Sequence, residues 1–240
     1  MKKIGLLGFG SFGQFMVKHL VQHFEVVVWN RSDRPEEAKL LGVKQVSIAE
    51  ACDAEIVIPC VPVQFLEKLL LEMAPHLKPN TWVVDVSSVK VRPLEMMNRI
   101  LPDNIEIIGT HPLFGPMSGK NGIEGLNMVI CPTKKDIDLK LIHFFEGKMK
   151  LNVLIRTPEV HDQQMAYVQA LTHFIGRAVN AMDIPDVEQK TKAYQFLLEI
   201  KQTLGKDSLD LFYTIEKENP YAKQVREDFL NALNGLNDSL

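Results

Sequence analysis

The chain has 240 residues, of which 46% are hydrophobic and 24% are charged. These fractions are ordinary for a folded domain, so they exclude a disordered chain, a collagen-like repeat and a disulfide-rich scaffold. Lysine and arginine number 27 against 30 aspartate and glutamate, and the formal net charge of −3 argues against a nucleic-acid-binding protein. The length favours one full domain with a smaller second one.

The cysteines and the N-terminus indicate where the protein resides. Cys52, Cys60 and Cys131 are too few and too widely spaced for a disulfide framework or a metal site, so we expect buried, reduced thiols. The apolar residues near Met1 are interrupted by glycines and lack a cleavage pattern, which argues against a signal peptide. No run of about 18 apolar residues occurs, so no membrane span is expected. We therefore expect a cytoplasmic protein without membrane, nucleic-acid or metal partners.

Strand-like and helix-like segments alternate through residues 1–157. Short apolar runs predict strands at 3–7, 25–29, 54–61, 81–86, 105–109, 128–131 and 153–155. Helical spacing predicts helices from about residue 12 and at 35–41, 65–74, 94–101 and 139–145. Because parallel strands need helical crossovers, this alternation predicts an α/β fold with a Rossmann-type, doubly wound, mostly parallel sheet.

Residues 158–240 show only helical periodicity. Helices are predicted at 161–182, 192–204 and 208–233, which gives a small all-helical C-terminal domain. A unit of this size buries little surface by itself. Its apolar positions, Phe196 and Leu197 among them, predict packing between two copies, so we expect a homodimer formed through these helices.

A glycine motif joins the first predicted strand to the first helix. It comprises Gly8, Phe9, Gly10, Ser11, Phe12 and Gly13. In this context Gly8 permits a tight turn, Gly10 lets a pyrophosphate approach the backbone, and Gly13 lets helix and strand pack closely. The helix N-terminus adds free N–H groups and a positive dipole. The motif predicts a dinucleotide site.

The end of the second strand predicts which dinucleotide binds. NAD-binding folds place a carboxylate there, which bonds the ribose 2′-hydroxyl. This chain instead has Asn30, Arg31 and Ser32, with Arg34 nearby. A guanidinium and a hydroxyl can bind a 2′-phosphate through charge-assisted hydrogen bonds, so NADP is predicted over NAD.

Residues after the later strands carry further polar and apolar candidates. Val61 and Pro62 either line the nicotinamide side of the site or simply end a strand. Polar residues fill segments 85–90 and 109–120. His111, predicted on a loop after a strand, is a candidate general acid–base because its unperturbed pKa is near neutrality.

These motifs together resemble a known family. The glycine motif, Ser88-Val89-Lys90, the His111-Pro112 pair and the helix from His161 to Phe174 are similar to those of the prephenate and arogenate dehydrogenases of tyrosine biosynthesis. Within that family, residues 110–116 are closest to the plant-type arogenate branch.

The resemblance implies an oxidative decarboxylation of a cyclohexadienol, with hydride transfer to the nicotinamide. It implies that His111 takes the proton of the ring hydroxyl, that Ser88 holds that hydroxyl and orients His111, and that His173 lines the substrate pocket. We add Lys90, which either neutralises a carboxylate or phosphate or is a helix-start charge, and we expect Gly115 and Ser118 at the substrate.

The chain departs from the family pattern in its C-terminal part and in one loop. Met117 occupies a position that is usually acidic, and residues 210–219 lack the expected carboxylate-binding arginine. Arg177, four residues beyond His173 on the predicted helix, is the better substitute. Prephenate and arogenate both remain open as substrates.

Two other functions remain as alternatives. One is an oxidoreductase related to β-hydroxyacid dehydrogenases or imine reductases, which usually depend on a lysine in the helical domain. The other is a non-catalytic NADP-binding sensor, suggested by Met117 and the missing arginine. His19 and His23, four residues apart, have a spacing that can bind metal, but nothing else in the sequence supports such a site.

Overall fold

A computed structural model describes residues 2–133, 139–204 and 208–240 of the chain. The chain divides into two compact units, Met1–Pro158 and Glu159–Leu240. The first unit contains the sheet and its flanking helices, and the second consists of helices. Among the described residues, no helix is both long and apolar enough to span a membrane.

Within the described part of the first unit, the strands form one eight-stranded sheet. Its strands lie in the order β3-β2-β1-β4-β5-β6-β7-β8, and β6 and β7 form the antiparallel pair among otherwise parallel neighbours. This confirms the predicted Rossmann-type, mostly parallel sheet. The strands are β1 (Lys3–Leu7), β2 (Glu25–Trp29), β3 (Lys44–Gln45), β4 (Ile56–Pro59), β5 (Trp82–Asp85), β6 (Glu106–Pro112), β7 (Asn127–Cys131) and β8 (Asn152–Ile155).

Helices cover both faces of the sheet because successive strand residues point to opposite sides. Leu7 belongs to the core that includes Leu70 and Met97, whereas Leu6 belongs to the core that includes Val17. The helices are α1 (Ser11–Leu20), α2 (Pro35–Leu40), α3 (Ile48–Cys52), α4 (Val63–Met73), α5 (Val91–Ile100) and α6 (Leu139–His143), the last continued by a π-helical turn, Phe144–Lys148.

The end of β6 differs from its prediction. The sequence predicted a strand that ends at residue 109 and a loop that carries His111, but β6 continues to Pro112. The loop prediction is wrong because β7 pairs with these residues, His111 lying opposite Val129. The proline and glycines around His111 suggested a loop, and pairing with a distant strand overrides that local signal.

The described residues of the second unit form a series of helices. A continuous helical segment comprises α7 (Pro158–Met165), a π-helical stretch (Ala166–Leu171) and α8 (Thr172–Ala181), as predicted for 161–182. It is followed by α9 (Lys192–Leu204), α10 (Leu209–Glu218) and α11 (Ala222–Asp238).

The predicted helix at 208–233 is wrong, because Asn219 and Pro220 separate α10 from α11. Proline cannot donate the backbone hydrogen bond that a helix interior requires. The Asn219 side chain stabilises the break, since its amide donates to the Asp162 carbonyl at 2.8 Å and its oxygen accepts from the Tyr221 N–H at 2.9 Å.

Candidate active site

The glycines of the β1–α1 turn occupy three different environments. Gly8 has a φ of +119°, and an added Cβ would lie 2.2 Å from the Cys60 carbonyl oxygen. A Cβ on Gly13 would lie 2.2 Å from the Gly8 oxygen, whereas a Cβ on Gly10 would meet nothing within 4 Å. Gly8 and Gly13 are therefore required by the protein's own packing. Gly10 leaves open space that a bound group can use.

A cavity of about 590 Å³ opens beside Gly10 and the N-terminus of α1. Among the residues that the structure describes, its lining contains four basic side chains and no acidic one. The lining residues are Gly10, Ser11, Gln14, Phe15, Lys18, His19, Arg34, Pro116, Gly119, Lys120 and Gly122. Free backbone N–H groups at a helix N-terminus, together with basic side chains, make such a cavity suited to phosphates.

The Asn30 side chain ties the glycine turn to the end of β2. Its Oδ1 accepts from the Phe9 N–H at 2.9 Å, and its Nδ2 donates to the Ser32 hydroxyl at 2.9 Å. Gln45 extends this arrangement, since its Oε1 accepts from the Arg34 N–H at 2.6 Å. The structure thus uses the polar atoms of Asn30 to hold two loops together.

The arginines predicted near the cofactor differ in their surroundings. Arg34 lines the cavity and lies 3.9 Å from Glu37, with both side chains well exposed. Arg31 and Ser32 are exposed on the same loop and are not part of the cavity lining. The loop therefore presents guanidinium groups and a hydroxyl at the end of β2.

Lys18, His19 and Lys120 line the cavity but were not identified from the sequence as cofactor residues. Burial, and secondarily the charge of Lys18, lowers the pKa of His19. Its ring packs edge-on against Phe15, with centroids 4.8 Å apart, and His23 packs in the same way against Phe144. One signal was available for Lys18 and His19, because they follow Gln14 and Phe15 by one helical turn.

The residues that follow β4 adjoin the glycine turn. A Cβ on Gly8 would lie 3.0 Å from a methyl carbon of Val61, so this valine packs over the turn, and Pro62 is the N-cap residue of α4. Burial, with a smaller contribution from Asp85, raises the pKa of the Cys60 thiol to about 12. The three cysteines are free, and Cys52 and Cys131 are buried.

Lys90 is the N-cap residue of α5, which is the helix-start position given as one of its alternatives. Its side chain is fully buried and forms an ion pair with the fully buried Asp85. Its ammonium also donates to the Thr110 carbonyl at 2.5 Å. The carboxylate that Lys90 neutralises in this structure belongs to the protein itself, and binding of the substrate by Lys90 stays a prediction.

His111 and Ser88 lie near the carboxyl ends of two neighbouring strands, β6 and β5. His111 lies in β6 and is only 4% exposed, and Ser88 is half-buried, three residues after the last residue of β5. The pairing of β5 with β6 ends at Asp85 opposite Gly109, so both side chains lie just beyond the same point of the sheet.

Gly115 and Ser118, expected at the substrate, form a turn beside α1. The Ser118 hydroxyl accepts from the Gly115 N–H at 2.9 Å, and the Gly115 carbonyl accepts from the Gly119 N–H at 2.8 Å. Gly119 packs against the Phe15 ring. Gly119 and Pro116 both line the cavity. The structure brings this turn to the cavity next to the glycine motif, and Met117 is half-exposed on it.

In the helical unit, the two predicted substrate residues lie on α8. His173 is buried, and Arg177 places its guanidinium 5.3 Å from the centre of the Phe212 ring. The other arginine of this unit, Arg226, pairs with Glu216, whose pKa is raised by burial against the opposing effect of Arg226. Arg177 is thus the arginine on the same helix as His173.

The parallel sheet, the turn at Gly8 and the basic cavity define the first unit as a Rossmann-type nucleotide-binding domain of the dehydrogenase class. In such sheets ligands bind at the carboxyl ends of the strands. The ends of β1, β4, β5 and β6 meet at one edge because these four strands are parallel neighbours.

Comparison with protein families identifies the group. The model described as "Prephenate dehydrogenase, nucleotide-binding domain" matches residues 21–150, more than half of the chain. A second model, described as "TYRAAT1-like, C-terminal domain", matches residues 178–240. The chain belongs to the prephenate dehydrogenase family.

Individual relatives agree with this assignment. Arogenate dehydrogenase 1, chloroplastic, of Arabidopsis thaliana is 35% identical over 99% of this chain and 39% of its own length. Arogenate dehydrogenase 2, chloroplastic, of the same plant is 31% identical over 94% of this chain and 66% of its own length. The chain therefore spans less than two thirds of the length of these relatives.

Solved structures show the same fold. A prephenate dehydrogenase from A. aeolicus, in complex with hydroxyphenyl propionate and NAD+, has a TM-score of 0.75 at 22% identity, covering 99% of this chain and 90% of that one. Arogenate dehydrogenase from Synechocystis has a TM-score of 0.71 at 19% identity, covering 98% and 90%.

Proposed function

We propose that this protein catalyses the NADP-dependent oxidative decarboxylation of prephenate or arogenate. The observation that carries the proposal is that the glycine turn and His111 stand at the same edge of one sheet. That arrangement brings a nucleotide-binding loop and a titratable imidazole to a common site, in a chain of this family.

Different residues of the first unit are proposed to bind the pyrophosphate and the nicotinamide of the cofactor. Gly10 leaves the space through which the pyrophosphate reaches the N-terminus of α1, and Ser11 stands at the first turn of that helix. Val61 and Pro62 flank the nicotinamide side. When bound, the nicotinamide accepts the hydride that leaves the ring carbon bearing the hydroxyl.

His111 and Ser88 act on the substrate's hydroxyl. The His111 imidazole takes the hydroxyl proton as the hydride departs, and Ser88 holds the oxygen in place. The ring carboxylate then leaves as carbon dioxide, its bonding electrons aromatise the ring, and the proton returns to the phenolate oxygen. His173 and Arg177 are proposed to bind the remaining polar groups of the substrate.

NADP is the proposed cofactor because the available positive charge matches an extra phosphate. Arg31, Ser32 and Arg34 follow β2, where a carboxylate would repel a 2′-phosphate, and Lys18 and Lys120 add charge across the cavity.

The homodimer is proposed from the apolar surface of the helical unit. Phe196, Leu233 and Leu236 are 54%, 45% and 65% exposed. Large apolar side chains at such exposure favour burial against a second copy. A cytoplasmic location stays a prediction, since two relatives are named chloroplastic.

A spectrophotometric assay tests the function directly. The protein is mixed with NADP or NAD and with prephenate or arogenate, and the absorbance of the reduced cofactor is followed. Turnover with one of these substrates, faster with NADP, is expected. NADP binding without turnover of either substrate would overturn the proposal and favour the non-catalytic NADP-binding alternative.

A further inference from the structure

Strand β6 extends beyond its neighbour β5 at the candidate active site. The register between them ends with Asp85 opposite Gly109, yet β6 continues to Pro112. Thr110 and His111 therefore pair with β7 on one side and have passed the end of β5 on the other. Something other than strand pairing has to fix the backbone on the β5 side of His111.

Side chains supply the missing contacts. The Lys90 ammonium donates to the Thr110 carbonyl at 2.5 Å and to the carboxylate of Asp85. The Thr110 hydroxyl donates to the Asp85 carbonyl at 2.7 Å. The Thr110 carbonyl belongs to the same planar peptide group as the His111 N–H, so fixing one fixes the other.

The same cluster reaches the serine segment. The second carboxylate oxygen of Asp85 accepts from the Ser87 N–H at 3.1 Å, and Ser88 follows immediately. Asp85 thus contacts the backbone before Ser88 directly and the backbone before His111 through Lys90. The two segments that carry the proposed catalytic groups share one buried carboxylate.

Stability alone does not account for this arrangement. Both charges are fully buried, and a buried ion pair often contributes no more than apolar side chains of similar volume. Lys90 also stands at the N-cap of α5, where the helix dipole disfavours a positive charge. A geometric role explains both features.

We propose that Asp85, Lys90 and Thr110 are positioning residues that fix His111 and Ser88 relative to each other. The proposal rests on the proposed function for its catalytic consequence. It concerns the local geometry of β5, β6 and the start of α5, which exists whether or not the protein turns over these substrates.

Thr110→Val tests the proposal, because it removes one hydroxyl at nearly constant volume. Thr133→Val is the matched control, since the Thr133 hydroxyl donates to the Ile107 carbonyl of the same strand at 2.7 Å, away from His111. We expect Thr110→Val to lower kcat at least tenfold, with KM for NADP changed less than twofold. Thr110→Ser, which keeps the hydroxyl, should have a kcat close to that of the wild type, and so should Thr133→Val.

Histidine NMR gives a readout independent of activity. In uniformly ring-labelled protein, the His111 resonance is assigned from its loss in His111→Asn. Thr110→Val should shift or broaden that resonance, whereas Thr133→Val should not. The double variant Asp85→Asn with Lys90→Met, which removes both charges together, should produce the same change.

The outcomes separate the two proposals. Absence of turnover by the wild type overturns the proposed function, and the His111 resonance still decides the positioning role. An unchanged resonance in Thr110→Val overturns the positioning role, as does a kcat per folded molecule equal to that of Thr133→Val in an active enzyme. Lower thermal stability with unchanged kcat would assign the cluster a purely structural part.

Discussion

Within the glycine turn, Gly8 is expected to matter for the stability of the fold and Gly10 for cofactor binding. The substitutions Gly10→Ala and Gly8→Ala test this difference. In Gly10→Ala the new methyl group meets nothing within 4 Å, and the backbone, with φ −76° and ψ −168°, is one that alanine adopts freely. We expect the free energy of unfolding to change by less than about 0.5 kcal/mol, because a compatible site costs little.

Gly10→Ala should nevertheless weaken NADP binding. The open space beside Gly10 belongs to the cavity at the start of α1, where a pyrophosphate is proposed to approach the backbone. A methyl group there pushes the phosphates away from the helix N-terminus. We expect a Kd at least about tenfold higher, equivalent to about 1.4 kcal/mol.

Gly8→Ala, in contrast to Gly10→Ala, should lower the free energy of unfolding. The methyl group would lie 2.2 Å from the Cys60 carbonyl oxygen, more than 1 Å inside the 3.4 Å at which ordinary contact begins, and φ is +119°. Backbone strain of about 1–3 kcal/mol adds to an overpacking cost of about 1–3 kcal/mol. We expect a loss of about 2–6 kcal/mol, a large part of the stability of a typical domain.

Urea denaturation measures the free energy of unfolding, and isothermal titration calorimetry with NADP measures the Kd. The reasoning is refuted if Gly10→Ala binds NADP within twofold of the wild type, because the open space would then not be the phosphate approach. It is equally refuted if Gly8→Ala unfolds at the same urea concentration as the wild type.

The remaining predictions concern the cofactor and the imidazoles. Arg31→Ala should raise KM for NADP much more than KM for NAD. Arg99 is an exposed arginine on α5, and the control Arg99→Ala should change neither KM. Equal changes in the two KM values of Arg31→Ala would contradict the NADP assignment. His111→Asn should lower kcat by about two to four orders of magnitude with NADP affinity nearly unchanged, and near-normal kcat would remove its proposed role. Burial holds the pKa of His19 below its ordinary value in the free protein, and the phosphates of bound NADP should raise that pKa. Binding should therefore take up a proton, so the affinity for NADP should increase as the pH falls through the raised pKa of His19. In His19→Gln, calorimetric titration with NADP should no longer show this increase.

The first two strands were predicted to the residue, at 3–7 and 25–29, because a continuous apolar run with clear boundaries is a strong signal. Strand β3 and helix α3 escaped prediction, because two and five residues are too few for a period to show. The break at Pro220 was missed because the apolar spacing continues on both sides of it.

The candidate site was predictable where a motif implies local geometry. Gly8 and Gly13 are such cases, since the turn and the close packing follow from their spacing along the chain. The burial of Lys90 and the strand position of His111 depend in part on residues 18 or more positions away, namely Thr110 for Lys90 and Val129 for His111. Single-sequence patterns carry no such information, so the burial of Lys90 was not predicted and His111 was wrongly placed on a loop.

The link made by Asn30 has a consequence for how the cofactor loop behaves before anything binds. Because its amide already joins Phe9 to Ser32, the loop is held in shape in the free protein, and a ligand does not have to order it. An amide has no titratable proton, so this preorganisation persists at acidic and alkaline pH alike. A carboxylate at the same position would accept from Phe9 but could not donate to Ser32, and it would weaken its link on protonation.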